Sequence, residues 1–151
     1  MITRVRQVGD HKGVFVTGRV APGEAVLPLR GVAVDTPYRF SLQIAPDLHL
    51  APLAEFDDDS MWCFVNHACD PNCHVDLEQM ALVAIRDIPA GAEVTFNYCS
   101  TEEHIVSPFG CDCGADGCYR QIRGFRHLST EQRQRLPFPA PHLLALAAVD
   151  V

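Results

Sequence analysis

Hydrophobic and polar residues alternate over short stretches of this chain, and turn-forming residues separate the stretches. Alternating or apolar runs of this length predict β-strands. They lie at residues 3–8, 14–16, 25–29, 38–44, 80–85 and 93–98. Two of the runs follow a turn with proline early and glycine late, which suits a β-turn that leads into a strand. The pattern therefore predicts a mainly β protein built from short strands.

Helical patterning is confined to the C-terminal part of the chain. Ser129 is a suitable N-cap, with Gln132 at the third helical position, and Pro137 limits the length of that helix. Residues 142–149 form either a second short helix or an apolar tail against the core. The acidic run at residues 55–59 fits neither period and predicts a solvated loop.

The chain has 151 residues and 48% apolar residues, enough for one domain with a single core. Its net charge of −7 argues against binding to nucleic acid through phosphate contacts, whereas it suits a basic peptide partner. We expect no secretory signal and no membrane span, because no apolar run is long enough. These features predict a cytoplasmic protein, or a nuclear one in a eukaryote.

Three of the seven cysteines form the triplet Cys111-x-Cys113-x4-Cys118, flanked by glycines that allow sharp turns. In a reducing compartment, clustered cysteines bind metal more often than they form disulfides. A structural zinc site needs four ligands, so one must come from elsewhere in the chain. The alternatives are free buried thiols, which behave as small apolar groups, and disulfides.

Two further segments carry polar or aromatic residues at informative places. Asn66 and His67 follow an apolar pair and precede Pro71, so by themselves they predict a polar turn or a hydrogen-bonded pair. Tyr98 ends the last predicted strand, where packing is the ordinary role of a tyrosine.

Together these segments resemble one known family. Asn-His-Ala-Cys-Asp-Pro-Asn (66–72), Thr-Phe-Asn-Tyr (95–98) and the cysteine triplet follow in the order found in SET-domain protein-lysine methyltransferases, which use S-adenosylmethionine and carry a cysteine-rich post-SET motif. The resemblance implies a SET-type (β-clip) fold of several small sheets, with a pseudoknot between the first two segments. It divides the chain into a SET domain (1–108), a post-SET zinc segment (109–127) and a C-terminal helix or tail packed on the domain (128–151).

The resemblance also assigns a cofactor site. Lys12, Gly13, Val14 and Phe15 match a stretch whose backbone contacts the methionine part of the cofactor. The other cofactor contacts it implies are Asn66, His67, Tyr98 and Tyr119. The chain departs from the family pattern at four positions, with His11 for glycine, Cys63 for arginine, Ala68 for serine and Asn97 for aspartate.

Catalysis, the acceptor channel and zinc follow from the same resemblance. Tyr98 matches the catalytic tyrosine, and Cys69 matches the fourth zinc ligand beside Cys111, Cys113 and Cys118. The expected channel walls are Tyr38, Phe40, Phe64 and Phe96, although core packing is the alternative for such aromatic residues. Phe96 leaves room for more than one methyl group on the acceptor.

Methyl transfer to an amine requires the neutral amine in line with the methyl, so positioning supplies most of the catalysis. A lysine amine has a pKa of about 10.4 in water, and an apolar channel beside a positive sulfonium lowers it. We expect water to take the proton. Three hypotheses follow: methylation of a lysine in a protein or peptide, methylation of a small amine, and a zinc-stabilised binding module without catalysis.

Overall fold

The computed structural model of the chain describes residues 2–53 and 58–149. Within these ranges the fold is mainly β, as the sequence predicts. The strands are β1 (Thr3–Val8), β2 (His11–Val16), β3 (Ala25–Pro28), β4 (Val32–Val34), β5 (Leu42–Ala45), β6 (Leu48–Ala51), β7 (Asn66–His67), β8 (Cys73–Asp76), β9 (Ala81–Ala84), β10 (Thr95–Phe96), β11 (Phe109–Gly110) and β12 (Gln121–Ile122). The helices are α1 (Thr130–Arg135), α2 (Pro141–Val149) and the 3-10 helices Asp58–Phe64, Tyr98–Ser100 and Phe125–His127.

The strands form several small sheets rather than one large one. β1 and β2 make an antiparallel hairpin, β3-β9-β8 and β4-β6-β5 are three-stranded, and β11 pairs with β12. β7 and β10 pair in parallel, with Asn66 opposite Thr95 and His67 opposite Phe96. This pairing brings the Asn-His segment beside the tyrosine segment, which the expected pseudoknot requires; the threading itself remains a prediction.

The main core lies between the small sheets and the 3-10 helix Asp58–Phe64. Its fully buried members come from many separate segments and include Val14, Val20, Leu82, Ile88 and Val94. Because each strand is short, no sheet encloses this core alone. Side chains from distant parts of the sequence must meet to exclude water from it.

A second core joins the tyrosine segment to the C-terminal part of the chain. It contains Cys99, Ile122, Phe125, Leu136 and Leu143. The predicted capping box of α1 is confirmed, because Ser129 Oγ accepts from the Gln132 N–H at 3.1 Å and the Ser129 N–H donates to Gln132 Oε1 at 2.8 Å. The C-terminal run is the helix α2 rather than a tail. The three-part division of the chain remains a prediction.

Several sequence predictions are wrong at the level of single segments. Residues 38–41 form a turn, closed by the Ser41 N–H donating to the Tyr38 carbonyl at 3.0 Å, so that strand begins only at Leu42. Only Thr95 and Phe96 of the last predicted strand are extended in a ladder, and Tyr98 opens a 3-10 helix. Asn66 and His67 lie in a strand and not in a turn, whereas the alternative of hydrogen-bonded residues agrees with the bonds that both side chains make.

The acidic loop predicted at residues 55–59 is wrong for Asp58 and Asp59, which begin the 3-10 helix Asp58–Phe64. The rest of that prediction falls outside the described residues. No helix in the described ranges is long and apolar enough to cross a membrane.

Candidate active site

A cavity of about 750 Å³ opens where β7, β10 and the 3-10 helix Tyr98–Ser100 meet. Its other walls come from the β1–β2 hairpin, the turn at residues 38–42, the end of the 3-10 helix Asp58–Phe64 and a strap formed by residues 105–109. Eight residues expected at the site line it: Lys12, Tyr38, Phe40, Phe64, Asn66, His67, Phe96 and Tyr98. The fold thus brings together residues that are up to 86 positions apart, from Lys12 to Tyr98.

Asn66 is fixed by two hydrogen bonds. Its Nδ2 donates to the Lys12 carbonyl and to Glu93 Oε1, each at 2.8 Å. The amide therefore uses both of its donors within the protein, and Oδ1 is the acceptor it can offer to a ligand. Lys12 Nζ lies 5.0 Å from the centre of the Phe64 ring, a cation–π distance. Asn66 and Lys12 together give this end of the cavity an acceptor and a positive charge.

Gly13 allows this arrangement but is not on the cavity wall. A Cβ at Gly13 would collide with Glu93 Oε1, the atom that accepts from Asn66. Val14 is fully buried in the main core, and the Phe15 ring packs under the Arg6 guanidinium at 3.8 Å. These expected cofactor contacts therefore lie behind the wall and support it.

His67 connects Tyr98 to the cysteine cluster. Its Nδ1 accepts from the Tyr98 backbone N–H at 3.1 Å, so Nε2 carries the hydrogen and donates to Cys69 Sγ at 3.3 Å. Burial lowers the pKa of His67 to about 4, so the ring is neutral at physiological pH. A neutral ring with both nitrogens occupied holds its neighbours in position and does not exchange protons.

Tyr98 presents a protonated phenol to the cavity. Its hydroxyl donates to the Val65 carbonyl at 2.7 Å, and burial raises the pKa of the phenol well above its usual range. The phenol oxygen keeps lone pairs that can accept a hydrogen bond from an amine. Two oxygen atoms, Tyr98 Oη and the Val65 carbonyl, consequently lie side by side on the wall.

Aromatic rings line the approach to Tyr98. The Phe96 and Tyr98 ring centres are 4.9 Å apart, and Phe40 lies edge-on to both Tyr38 and Phe64 with centres 6.5 Å apart. Trp62 also lines the cavity, although it is almost fully buried, and its Nε1 donates to the Arg30 carbonyl at 2.9 Å. The channel residues expected from the sequence thus line one cavity in two groups of contacting rings, one of Tyr38, Phe40 and Phe64 and one of Phe96 and Tyr98.

A second site lies beside the cavity, where four cysteines meet. The Sγ atoms of Cys69, Cys111, Cys113 and Cys118 all lie within 4.8 Å of one another. Those of Cys69 and Cys111 are 3.9 Å apart. Four thiolates around a tetrahedral zinc at 2.3 Å have their sulfurs about 3.8 Å apart, so this donor set fits zinc. Burial raises the pKa of Cys111 to about 11, which a bound cation would reverse.

The cysteine cluster is physically continuous with the cavity. Residues 109–122 form a hairpin, here called the metal hairpin, closed by the two residue pairs of β11 and β12. The Phe109 ring at its start lies 5.8 Å from the Tyr98 ring and 5.9 Å from the His67 ring. Cys69 Sγ accepts from the Tyr119 N–H at 3.4 Å. An ion bound by the four sulfurs would therefore also position Phe109 on the cavity wall.

Tyr119 occupies a different place from the one expected. It is not on the cavity wall, and its hydroxyl accepts from Asn97 Nδ2 at 3.1 Å within the second core. Asn97, which stands where the family has aspartate, is buried and also caps the 3-10 helix by accepting from the Cys99 N–H at 3.0 Å. Both residues fix the segment that carries Tyr98.

Sequence reasoning missed three residues at the site: Glu93, Glu102 and Phe109. Glu93 orients Asn66, and its place follows from the bridge between Glu93 and Phe15, which no local pattern indicates. Glu102 lines the cavity beside Tyr98 although a Glu-Glu pair after a strand is typical of a solvated loop. The only sequence signal for Phe109 is its position two residues before the first cysteine of the triplet.

Comparisons with known proteins agree with this geometry. The family model described as SET domain matches residues 11–99, more than half of the chain. The protein named methyltransferase flvH of Aspergillus flavus is 34% identical over 110 residues, covering 72% of this chain and 58% of flvH. A histone-lysine N-methyltransferase, H3 lysine-36 specific, of Chaetomium globosum is 35% identical over 89 residues, covering 55% of this chain and 10% of that protein.

A comparison with solved structures shows a similar fold. The crystal structure of KRYPTONITE in complex with mCHG DNA and SAH has a TM-score of 0.58 and 24% identity, covering 78% of this chain and 28% of that one. The chain spans less than two thirds of each of these proteins. On the family match, the chain belongs to the SET-domain family.

Proposed function

We propose that this protein transfers methyl groups from S-adenosylmethionine to a lysine side-chain amine of a protein or peptide. The observation that carries the proposal is a single cavity in which Asn66 and His67 stand beside Tyr98 and an aromatic wall. Support comes from relatives whose names include histone-lysine N-methyltransferase, H3 lysine-36 specific. The chain spans a small part of those proteins, so a histone substrate is proposed for it and not taken over from them.

The cofactor would be held mainly by Lys12, Asn66 and His67. When bound, it supplies an electrophilic methyl group on a sulfonium. Asn66 Oδ1 suits the ammonium of the methionine part, and Lys12 Nζ suits its carboxylate. The SAH present in the KRYPTONITE complexes supports a ligand of this class. Gly13, Val14 and Phe15 would not contact the cofactor themselves. They would support the part of the cavity wall that does.

The acceptor amine would enter along Tyr38, Phe40, Phe64 and Phe96 and meet Tyr98. The protonated phenol accepts a hydrogen bond from the amine and so directs the nitrogen lone pair at the methyl group. The Val65 carbonyl and Tyr98 Oη would hold that methyl through weak C–H···O contacts. Phe96 leaves room for a second transfer to the same amine.

Zinc completes the proposal as a structural metal. Cys69, Cys111, Cys113 and Cys118 would hold it, and four sulfur ligands leave no open position for chemistry. In this proposal residues 1–108 are the catalytic domain, residues 109–127 are the zinc segment, and residues 128–151 are a C-terminal helical segment packed on that domain. A histone acceptor would place the protein in a eukaryotic nucleus.

The acceptor is a lysine-containing, basic peptide in this proposal. A net charge of −7 favours such a partner and disfavours nucleic acid. One KRYPTONITE complex holds an H3(1-15) peptide as well as DNA, and this chain covers 29% of that protein. A small amine remains the second candidate acceptor, because the relative flvH is named only as a methyltransferase.

Mass spectrometry of acceptors incubated with zinc-loaded protein and S-adenosylmethionine tests the proposal. The acceptors are the H3(1-15) peptide, an H3 peptide centred on lysine 36, and free lysine with simple diamines. We expect methylation of a peptide lysine side chain, with Asn66→Ala as the inactive control. Transfer to free amines alone would establish the second candidate, and no transfer to any acceptor would contradict both.

A further inference from the structure

A carboxylate that the sequence did not single out lines the cavity close to Tyr98. Glu102 follows Tyr98 by one turn, and its backbone N–H donates to the Tyr98 carbonyl at 2.9 Å. Its side chain is partly buried and forms part of the cavity wall together with Tyr98 and Phe96. The 3-10 turn that presents the phenol therefore also presents a carboxylate.

The Glu102 carboxylate is held in one orientation by its neighbours. Oε2 accepts from the Gln43 backbone N–H at 2.9 Å and from Thr101 Oγ1 at 2.7 Å, while Oε1 has only a longer bond of 3.2 Å to the same N–H. Gln43 is fixed in return, because its Oε1 accepts from the Glu103 N–H at 2.8 Å. Oε1 is consequently the oxygen with acceptor capacity left for a ligand.

The surroundings of Glu102 determine the pKa of its carboxyl group. Burial raises the pKa of this carboxyl to about 7, against hydrogen bonds from Thr101 and Gln43 that favour the ionised form. Its charge reaches the Tyr98 phenol and the Cys99 thiol and raises the pKa of both. Glu93 and Cys63 also raise the pKa of the phenol through their charge, whereas Arg39 lowers it. A carboxyl in this setting can take and release a proton near neutral pH.

The proposed reaction needs a proton acceptor, and a carboxyl on the cavity wall would take the place of the water expected from the sequence. A lysine reaches the protein as an ammonium, whereas methyl transfer requires the free amine. Tyr98 is already protonated, and both nitrogens of His67 are occupied. The other carboxylate on the wall, Asp10, is fully exposed in the β1–β2 hairpin, where Asp10 contacts His11.

We propose that Glu102 binds the acceptor ammonium and takes its proton before methyl transfer, an inference that rests on the proposed function. The proton moves from nitrogen to Oε1, which leaves a neutral amine and a carboxylic acid. The nitrogen lone pair then forms the bond to the methyl carbon as the sulfonium C–S bond breaks, and sulfur keeps that electron pair. The product leaves as a methylammonium, and the carboxylic acid releases its proton to water, one proton per transfer.

The pH dependence of kcat/KM tests this assignment, with a histone H3 peptide as the acceptor. For the unaltered protein we expect a rise through about pH 7 and a plateau above it, because the productive pair is carboxylate with ammonium. For Glu102→Gln we expect a loss on the order of 10²-fold at pH 7. The kcat/KM of Glu102→Gln should instead increase with pH up to the acceptor's own pKa of about 10.4. Without the carboxylate, only acceptor amine that has already lost its proton to water can react.

Two further variants separate proton transfer from a structural role. Glu103→Gln is the matched control, since Glu103 pairs with Arg126 and is not on the cavity wall, and its profile should be unchanged. Thr101→Val keeps the carboxylate but removes a hydrogen bond that stabilises its ionised form, so the midpoint of the rise should move to higher pH. This variant remains informative if Glu102→Gln does not fold.

Three results would overturn the inference. A Glu102→Gln profile of unaltered shape and lower height would make Glu102 a structural residue. An unmoved midpoint in Thr101→Val would exclude Glu102 as the titrating group. An unaltered protein that transfers no methyl to any acceptor would overturn the proposed function and this inference with it.

Discussion

Removing zinc from the proposed four-cysteine site is expected to weaken cofactor binding at least ~10-fold and to melt the metal hairpin. The hairpin is closed by only two residue pairs, and an isolated hairpin of that size is marginally stable. Its three cysteines meet Cys69 at distances that suit sulfur ligands of a zinc ion, so the metal would hold the hairpin together. Loss of the metal should therefore release Phe109 from the cavity wall, where it contacts Tyr98 and His67.

Cys113→Ser is the variant of choice for this prediction, because Cys113 is the exposed member of the cluster and its replacement leaves the second core intact. We expect less than one bound zinc per chain and cofactor affinity at least ~10-fold weaker, about 1.4 kcal/mol. Elemental analysis and calorimetry provide the two readouts.

The matched control is Cys73→Ala, which removes a fully buried thiol of the main core. It should lower the melting temperature and leave the zinc content at one per chain. Full cofactor affinity in zinc-free Cys113→Ser would show that the hairpin does not form the wall that the structure indicates.

Replacing Tyr98 by phenylalanine is expected to stop methyl transfer while cofactor binding survives. The variant keeps the ring that packs on Phe96 and removes only the hydroxyl that donates to the Val65 carbonyl. Without that oxygen the amine loses the acceptor that aligns it, and misalignment of a reacting group costs on the order of 10²-fold. We expect kcat to fall by that factor or more, with the cofactor dissociation constant changed less than threefold.

Ser100→Ala controls for the lost hydrogen bond. Ser100 lies in the same 3-10 helix, is buried, and donates to the Asn97 carbonyl at 2.6 Å without reaching the cavity. Either variant should cost about 1 kcal/mol of folding free energy. Only Tyr98→Phe should lose activity. Equal kcat in Tyr98→Phe and the unaltered protein would remove Tyr98 from the mechanism.

The sequence predicted the parts of this fold that depend on local chemistry. Alternating or apolar runs located β1, β3, β9 and the second half of β2, and the Ser129–Gln132 spacing located α1, because side chains a few positions apart decide these elements. The prediction that Cys69 joins the triplet rested on the family resemblance and not on the cysteine spacing. Four cysteines outside the triplet were equally available on composition alone.

The remaining features depend on contacts between distant segments. Asn66 and His67 form a strand only because residues 95–96 lie beside them, and a two-residue strand leaves no periodic pattern. Tyr98 leaves its strand early because Asn97 caps a 3-10 helix. The position of Glu102 in the site could not be predicted for the same reason, because its carboxylate is oriented by Gln43, 59 residues earlier.

Calorimetric titration of the zinc-loaded protein with S-adenosylmethionine and its demethylated product measures whether this cavity binds the cofactor. We predict one site per chain for both ligands, and at least ~10-fold weaker binding in Asn66→Ala, because Asn66 Oδ1 is the acceptor offered to the cofactor's ammonium. Folded, zinc-loaded protein that binds neither ligand would contradict the account, as would full-strength binding in Asn66→Ala.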